Sequence, residues 1–135
     1  MLNLKSISEE EADCRAAFAG VSVGALVLHC HHDVLLELLL EPAENRINCI
    51  LHYKPKTEQA LRLRLFRPLL PACFRAELDT ARAEWVKADA KWADAEWAEA
   101  GAKWDRACAE WTKTGHHAAI CPDCPWDGST IFPHL

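Results

Sequence analysis

The sequence AEWVKADAKWADAEWAEAGAKWDRACAEW, residues 83–111, decides the fold that we predict for this chain. It repeats a unit in which Ala and a charged residue precede each Trp, and one unit is two residues shorter than the others. Ala is the strongest helix former, and charged pairs four residues apart, such as Glu99 and Lys103, support a helix further. We therefore predict one long Ala/Trp-repeat helix over residues 72–114, with a length of about 60 Å.

Tryptophans recur along the whole predicted helix. They are Trp85, Trp92, Trp97, Trp104 and Trp111. Together they offer roughly 750–1,250 Å² of aromatic surface, more than a monomer usually leaves exposed. Their spacing, with Ala between them, resembles a coiled coil. We predict that they pack in the chain's own core, in a homo-oligomer or against a protein partner. Stacking on nucleic-acid bases is disfavoured because residues 77–111 are net negative.

Residues 1–71 predict a helical region with a short β element. Ser8 and Glu11 fit a capping box, which would start a helix that runs to about Phe18. The stretch GVSVGALVLHC, residues 20–30, contains β-branched residues and glycines. It suggests a short buried strand or hairpin, although a buried helix would show the same apolar run.

Three further helices are predicted, and prolines separate them. Asp33 can cap a helix that runs through Leu40, because its carboxylate suits the positive end of the helix dipole. Glu44–Tyr53 has apolar residues at helical spacing. Thr57–Phe66 alternates Leu with Arg as a strand would, but its composition favours a helix. Gly115 is expected to stop the long helix.

The length of the chain fits a single domain, residues 1–135, in which a Cys/His tail at 115–135 follows the long helix. We predict a mainly α fold with a short β element and a zinc-knuckle-like tail. No signal-peptide pattern opens the chain and no apolar run reaches the length of a membrane span, so no membrane association is expected. The seven cysteines lack a disulfide-scaffold spacing and are expected to be reduced thiols in a cytoplasm.

A C-x2-C pair, Cys121 and Cys124, follows the predicted helix. Pro122 and Pro125 stiffen this turn, so two thiolates can face one ion at a Zn–S distance near ~2.3 Å. A tetrahedral site needs two more ligands. The candidates are His29, Cys30, His31 and His32, then His116 and His117, with His134 a weaker one. We predict a structural zinc whose ligands come from distant parts of the chain, which gives the metal a role in folding.

Other uses of these cysteines and histidines stay open. They could be structural side chains without a metal, or a redox dithiol, although the βαβ context of thioredoxin-type proteins is missing. A catalytic zinc needs an open coordination position and a general acid or base, and no H-E-x-x-H signature occurs. Motifs for phosphate binding or for a nucleophilic serine are also absent from the sequence. We therefore predict a non-enzymatic protein.

A basic segment lies within a chain whose net charge is −5. The cations that could contact phosphates are Lys54, Lys56, Arg62, Arg64 and Arg67. Such a run is more often a solvated face or the complement of an acidic surface, and the Glu and Asp residues of the repeat helix are expected to provide one. A nucleic-acid-binding zinc protein that uses residues 54–67 is the alternative to a protein that binds other proteins.

The repeat at Ala83–Trp111 and the tail CPDCPWDGSTIF at Cys121–Phe132 resemble small proteins of bacteriophages and environmental bacterial genomes. Together they cover about a third of the chain. The resemblance implies a phage or mobile-element origin and a location in the cytoplasm of a bacterial or phage-infected host cell. Small phage accessory proteins often bind host machinery. The most specific expectation is therefore an inhibitor of a host defence system such as a CRISPR nuclease.

Overall fold

The computed structural model describes residues 2–69, 78–85, 87 and 94–133, without the side chains of residues 94–97. In chain order the elements are α1 (Ile7–Ala17), β1 (Leu26–His31), β2 (Val34–Leu38), α2 (Ala43–Tyr53), α3 (Lys56–Leu65), β3 (Arg67–Pro68), α4 (residues 78–85), α5 (Asp94–Lys113) and α6 (His116–Ile120). Within the described residues, six helices thus accompany a three-stranded antiparallel sheet. The fold is mixed α/β, and the predicted mainly α fold with one long helix is wrong.

Helices α4 and α5 lie side by side instead of forming one continuous helix. Glu84 Oε2 and Lys103 Nζ are 3.3 Å apart, whereas a continuous helix would separate these residues by roughly 28 Å. The ring of Trp85 lies against Gly101, where an added Cβ would be 3.0 Å from a ring carbon. Two packed helices bury aromatic surface that a single long helix would leave in water. The free energy gained by this burial exceeds the free energy lost by interrupting the helix. Residues 72–77, 86 and 88–93 of the predicted helix lie outside the described ones.

The chain divides into two compact units. The first unit comprises Met1–Leu69 together with Asp123–Leu135, and the second comprises Leu70–Pro122. The first unit therefore contains the sheet, the first three helices and the C-terminal segment. The predicted single domain over residues 1–135 stays a prediction.

The sheet of the first unit has the strand order β2-β1-β3, with antiparallel neighbours. Leu26–Leu28 of the central strand β1 are buried. Strand β1 pairs with β2 at Leu26↔Leu38 and, after an irregularity, at His31↔Val34. Such an irregularity redirects the side chains that follow it along the strand.

A tight turn at His32 and Asp33 connects β1 to β2. The helix predicted to begin at Asp33 is wrong, because Val34–Leu38 form strand β2. Apolar runs on both sides of a short turn can pair as a hairpin with buried side chains. The free energy gained by this pairing and burial exceeds the contribution of one helix cap. For residues 20–30, the strand alternative is confirmed at Leu26–His31.

Helix α1 begins after Ser6, two residues before the predicted position. Ser6 Oγ accepts a hydrogen bond from the Glu9 N–H at 3.2 Å, and Glu9 Oε1 accepts one from the Ser6 N–H at 3.4 Å. This is the capping box that we predicted at Ser8 and Glu11, in a different register. Both registers fit the S-x-x-E pattern, and the observed one accompanies the complete burial of Cys14 in the core.

Helices α2 and α3 confirm the predicted helices Glu44–Tyr53 and Thr57–Phe66 within one residue. Pro42 and Pro55 occupy the N-cap positions, where a backbone N–H is not needed for helical hydrogen bonding. Helix α3 packs on α1, α2 and β1, and α2 packs on α1 and α3, around one hydrophobic core. Its buried residues are Cys14, Phe18, Val27, Leu39, Ala43, Ile47, Ile50, Leu63 and Phe66.

The second unit contains α4, α5 and α6. Trp104 and Trp111 of α5 are buried, with 9% and 0% of their surface exposed. Helix α5 ends before Gly115, whose φ of +81° confirms the predicted stop, because glycine adopts the left-handed conformation without a Cβ penalty. Across the described part of the chain, no helix combines the length and the apolar character needed to cross a membrane.

Candidate metal centre

His29 lies at the irregular position of β1 and has a φ of +52°. This left-handed conformation is uncommon for a residue with a side chain, and it interrupts the regular alternation of side chains along the strand. The His29 side chain is buried, with only 3% exposure, whereas His31 is exposed. The backbone irregularity therefore places the two histidines in different surroundings.

The C-x2-C pair is positioned by the end of α6 and a tight turn. Cys121 is the C-cap residue of α6, and its N–H donates to the carbonyl of His117 at 2.8 Å. This spacing puts His117 and Cys121 one helical turn apart on the same side. Asp123 then adopts a φ of +62°, which aspartate tolerates better than most residues. The chain consequently turns between Cys121 and Cys124.

Each unit places one histidine beside one cysteine. The ligand atoms of His29 and Cys124 in the first unit, and those of His117 and Cys121 in the second, lie within 4.8 Å of each other. Cys124 Sγ and His29 Nε2 are 3.2 Å apart. In a tetrahedral zinc site with bonds of ~2.0–2.3 Å, neighbouring ligand atoms are about 3.3–3.8 Å apart. The spacing of His29 and Cys124 is close to this range, so these two residues can be ligands of one ion.

The other predicted ligands do not belong to these histidine–cysteine pairs. Cys30 and His31 belong to a second group, described below. The rings of His32 and His116 instead lie near aromatic rings, with centroid distances of 6.2 and 5.8 Å. His134 is outside the described residues. The structure therefore brings cysteines and histidines of the predicted set close enough to hold a metal, and zinc as the ion stays a prediction.

The C-terminal segment is fastened to the β1–β2 hairpin within the first unit. The ring of Trp126 lies 5.6 Å from the ring of His29. The N–H of Ile131 donates to the carbonyl of His32, in the hairpin turn, at 2.9 Å. Ile131 is also buried. These contacts hold the segment that carries Cys124 beside the strand that carries His29.

Asp127 organises a turn of this C-terminal segment. Its Oδ1 accepts hydrogen bonds from the N–H groups of Ser129 and Thr130, both at 2.9 Å. The Ser129 hydroxyl donates to the same oxygen at 3.1 Å. The bond from the Ser129 N–H is the largest cause that lowers the pKa of Asp127. Gly128 supplies the φ of +104° that this turn requires.

A second group consists of Cys30 and His31 from β1 and Glu37 from β2, again with ligand atoms within 4.8 Å of one another. His31 Nδ1 and Glu37 Oε1 are 2.7 Å apart. The group borders a cavity of about 350 Å³. Burial, followed by the charge of Glu37, raises the pKa of the Cys30 thiol to about 11. The sequence analysis missed Glu37 because it assigned this residue to a helix.

The other buried thiols also have raised pKa values. Burial raises the pKa of Cys14 to about 11 and that of Cys108 to about 12. No disulfide joins any of the cysteines that the structure describes. Reduced thiols in a cytoplasm stay a prediction.

The structure describes the side chains of Trp85, Trp104 and Trp111. Trp104 and Trp111 are buried, and Trp85 is partly exposed beside α5. The side chains of Trp92 and Trp97 lie outside the described residues. Burial covers the aromatic surface of two of the predicted interaction residues, and the role of the tryptophans in partner binding stays a prediction.

The arginines of the basic segment are bonded to the protein itself. Arg62 Nη2 pairs with Glu58 at 2.8 Å, and Arg64 Nη1 pairs with Glu10 at 2.9 Å. Arg67 donates to two backbone carbonyls at 2.7 and 2.9 Å. The acidic partners of Arg62 and Arg64 thus lie in α1 and α3, not in the repeat as we expected. Nucleic-acid binding through Lys54, Lys56 and these arginines stays a prediction.

No family model, curated protein or solved structure matches the chain. The resemblance of the repeat and the tail to phage and environmental bacterial proteins stays a prediction. What the protein does is therefore inferred from the geometry and the chemistry of its own residues.

Proposed function

We propose that the C-x2-C pair, Cys121 and Cys124, binds one structural Zn²⁺ with His29 and a further histidine, and that the protein acts by binding another protein and not as an enzyme. One observation within the first unit carries this proposal: Cys124 Sγ and His29 Nε2 are 3.2 Å apart. Thiolate and imidazole are the ligands that zinc takes in structural sites, which have four protein ligands in tetrahedral geometry.

Two further protein ligands beside His29 and Cys124 would make the role of the ion structural and not catalytic. A catalytic zinc keeps one coordination position for water or substrate, and a zinc with four protein ligands has none. Within the first unit, an ion bound to His29 and Cys124 would connect strand β1 to the C-terminal segment. The free energy of binding such an ion adds to the stability of the fold, since the unfolded chain has no preformed site.

Native mass spectrometry of the full chain tests the metal site. We expect Cys121→Ser and Cys124→Ser each to lose one zinc ion per chain relative to the wild type. Cys108→Ser is the matched control, because it removes a partly buried thiol that is not in the group. Wild-type zinc content in both site variants would contradict the proposal.

Exposed apolar side chains support the interaction role. Leu40 and Tyr53 are 77% and 81% exposed, which places large apolar groups in water. We infer that these two side chains, one just after β2 and one at the end of α2, contact the partner. If the resemblance to phage proteins holds, the partner is a host protein, and inhibition of a host defence nuclease remains the most specific prediction.

Affinity capture from a bacterial host lysate tests this role. We expect the wild type to retain a specific protein that the Leu40→Ser/Tyr53→Ser double variant loses. Lys56→Ser is the control, since it changes an exposed polar residue of the same unit. Identical capture by the wild type and the double variant would contradict a contact through these side chains.

A further inference from the structure

We propose that Cys30, His31 and Glu37 form a second metal site, which binds a divalent transition-metal ion such as Zn²⁺ and leaves a coordination position open to the adjacent cavity. This site shares no ligand with the proposed structural zinc site. It therefore does not depend on that site, and it gives the protein a place for a small ligand that binds through the metal.

The hairpin brings the three ligand atoms together. Cys30 and His31 end strand β1, Glu37 lies on the paired strand β2, and one ligand atom of each lies within 4.8 Å of the others. His31 Nδ1 and Glu37 Oε1 are 2.7 Å apart, whereas nitrogen and oxygen ligands of one tetrahedral zinc lie about 3.4 Å apart. An opening of less than ~1 Å is needed. His31 can supply it because half of its side chain is exposed.

The charges around the cavity favour a cation. Glu37 and Glu41 both line the cavity, and Arg46 is the one arginine or lysine that lines it. The Arg46 guanidinium donates a hydrogen bond from Nη1 to the sulfur of Cys49 at 3.5 Å. Two carboxylates repel a bare thiolate at Cys30 and attract a divalent ion. The surroundings therefore suit a metal–thiolate better than a nucleophilic cysteine.

Three protein ligands beside a cavity are the arrangement of metal sites that accept an exogenous ligand. The volume of about 350 Å³ is at the lower end of the range for small-molecule sites. Leu38–Leu40 are the apolar residues that line the cavity. The site would thus take water, or a small molecule with one nitrogen, sulfur or carboxylate donor and an apolar body.

Metal stoichiometry tests this site separately from the first one. After reconstitution with zinc, native mass spectrometry of the full chain should find two ions in the wild type and one in Cys30→Ser and His31→Ala. Cys49→Ser and His52→Ala are matched controls, because neither residue belongs to the group, and both should keep two ions. Glu37→Gln preserves the side-chain shape, and we expect it to weaken the second binding step by tenfold or more. Circular dichroism identifies any variant that is unfolded.

Cobalt(II) substitution tests the open coordination position. Imidazole should change the visible absorption spectrum of the cobalt-loaded wild type, and it should leave that of cobalt-loaded Cys30→Ser unchanged. A wild type that binds no ion, or one whose ions are all retained in Cys30→Ser and His31→Ala, would overturn the proposal. Loss of one ion in Cys121→Ser alone concerns only the structural site.

Discussion

Glu10 is a completely buried carboxylate within α1, and its surroundings explain how the fold tolerates it. Its Oε2 accepts a hydrogen bond from the Lys5 N–H at 3.0 Å and one from Arg64 Nη1 at 2.9 Å. A buried charge is tolerated when it is paired and hydrogen-bonded. Arg64, which the sequence suggested for phosphate binding, therefore has a structural role as the partner of Glu10.

Arg64→Ala should destabilise the protein because it leaves the Glu10 carboxylate buried without its cationic partner. We expect a loss of about 2 kcal/mol in the free energy of unfolding, less than for a fully buried pair since part of Arg64 is exposed. Arg15→Ala removes the partly exposed ion pairs with Glu11 and Glu44 and should cost under ~1 kcal/mol. Urea unfolding measures both, and equal losses would contradict this assignment.

Asp127 should make a pH-dependent contribution to stability. Its folded-state pKa is lowered, mainly by the hydrogen bond from the Ser129 N–H. The contribution is therefore present above the unfolded value of ~3.9 and is lost as the pH falls through the lower folded-state pKa. NMR titration of the carboxyl carbon should place the Asp127 midpoint below this unfolded value. A midpoint at or above it would show that the turn hydrogen bonds do not form.

At the scale of secondary-structure elements, the contact between α4 and α5 determines how the repeat folds. Gly101 lies within α5, where glycine costs roughly 1 kcal/mol relative to alanine. The cost is offset because the ring of Trp85 occupies the space that a side chain at position 101 would need. The two-helix arrangement thus depends on one small and one large residue that face each other.

Gly101→Leu should separate α4 from α5. We expect a loss of about 1–3 kcal/mol in the free energy of unfolding, because the added side chain collides with the Trp85 ring. The same substitution in a Trp85→Ala background should cost less, since the ring is gone. Thermal unfolding of the four proteins in this double-mutant cycle gives the coupling between the two positions. Equal costs in both backgrounds would contradict the contact.

At the scale of the whole molecule, the C-terminal segment belongs to the same compact unit as the hairpin, although most of the chain separates them. Contacts within the chain already join them, such as the hydrogen bond from the Ile131 N–H to the His32 carbonyl. A metal bound by His29 and Cys124 would reinforce these contacts. Together, the contacts and the bound metal would hold this short, largely irregular segment in a fixed position.

Removal of the proposed zinc should loosen this segment before the core unfolds. With a chelator present, we expect amide hydrogen exchange in residues 123–133 to accelerate by about tenfold or more. Exchange in the helical core around Leu63 should change less, because its contacts do not involve the metal. Hydrogen exchange followed by mass spectrometry measures both regions. Equal acceleration in both, or none in residues 123–133, would contradict a local role for the ion.

Much of the local structure could be predicted from the sequence. Helix α2 follows from its apolar spacing and α3 from its composition, and Gly115 ends α5 as expected. The C-x2-C pair could also be recognised as a source of metal ligands, because two cysteines three positions apart are neighbours in almost any turn. These features depend on interactions within a few residues of one another.

Long-range contacts decided the rest. The segment after Asp33 became a strand because it pairs with β1, and this pairing brought Glu37 close to Cys30 and His31. The irregular backbone at His29 selected that histidine, out of four adjacent candidate ligands, as the neighbour of Cys124.

The sequence by itself determined the positions of α2 and α3, the end of α5 and which residue types can bind a metal, since helix propensity and ligand chemistry are local properties. Only the tertiary structure decided that α4 and α5 pack side by side, which arginines are bonded to buried or partly buried carboxylates, and which histidines meet the cysteines. The physical reason is that burial and pairing free energies depend on residues distant in sequence. Those contacts exceed the local preferences in magnitude wherever the two conflict.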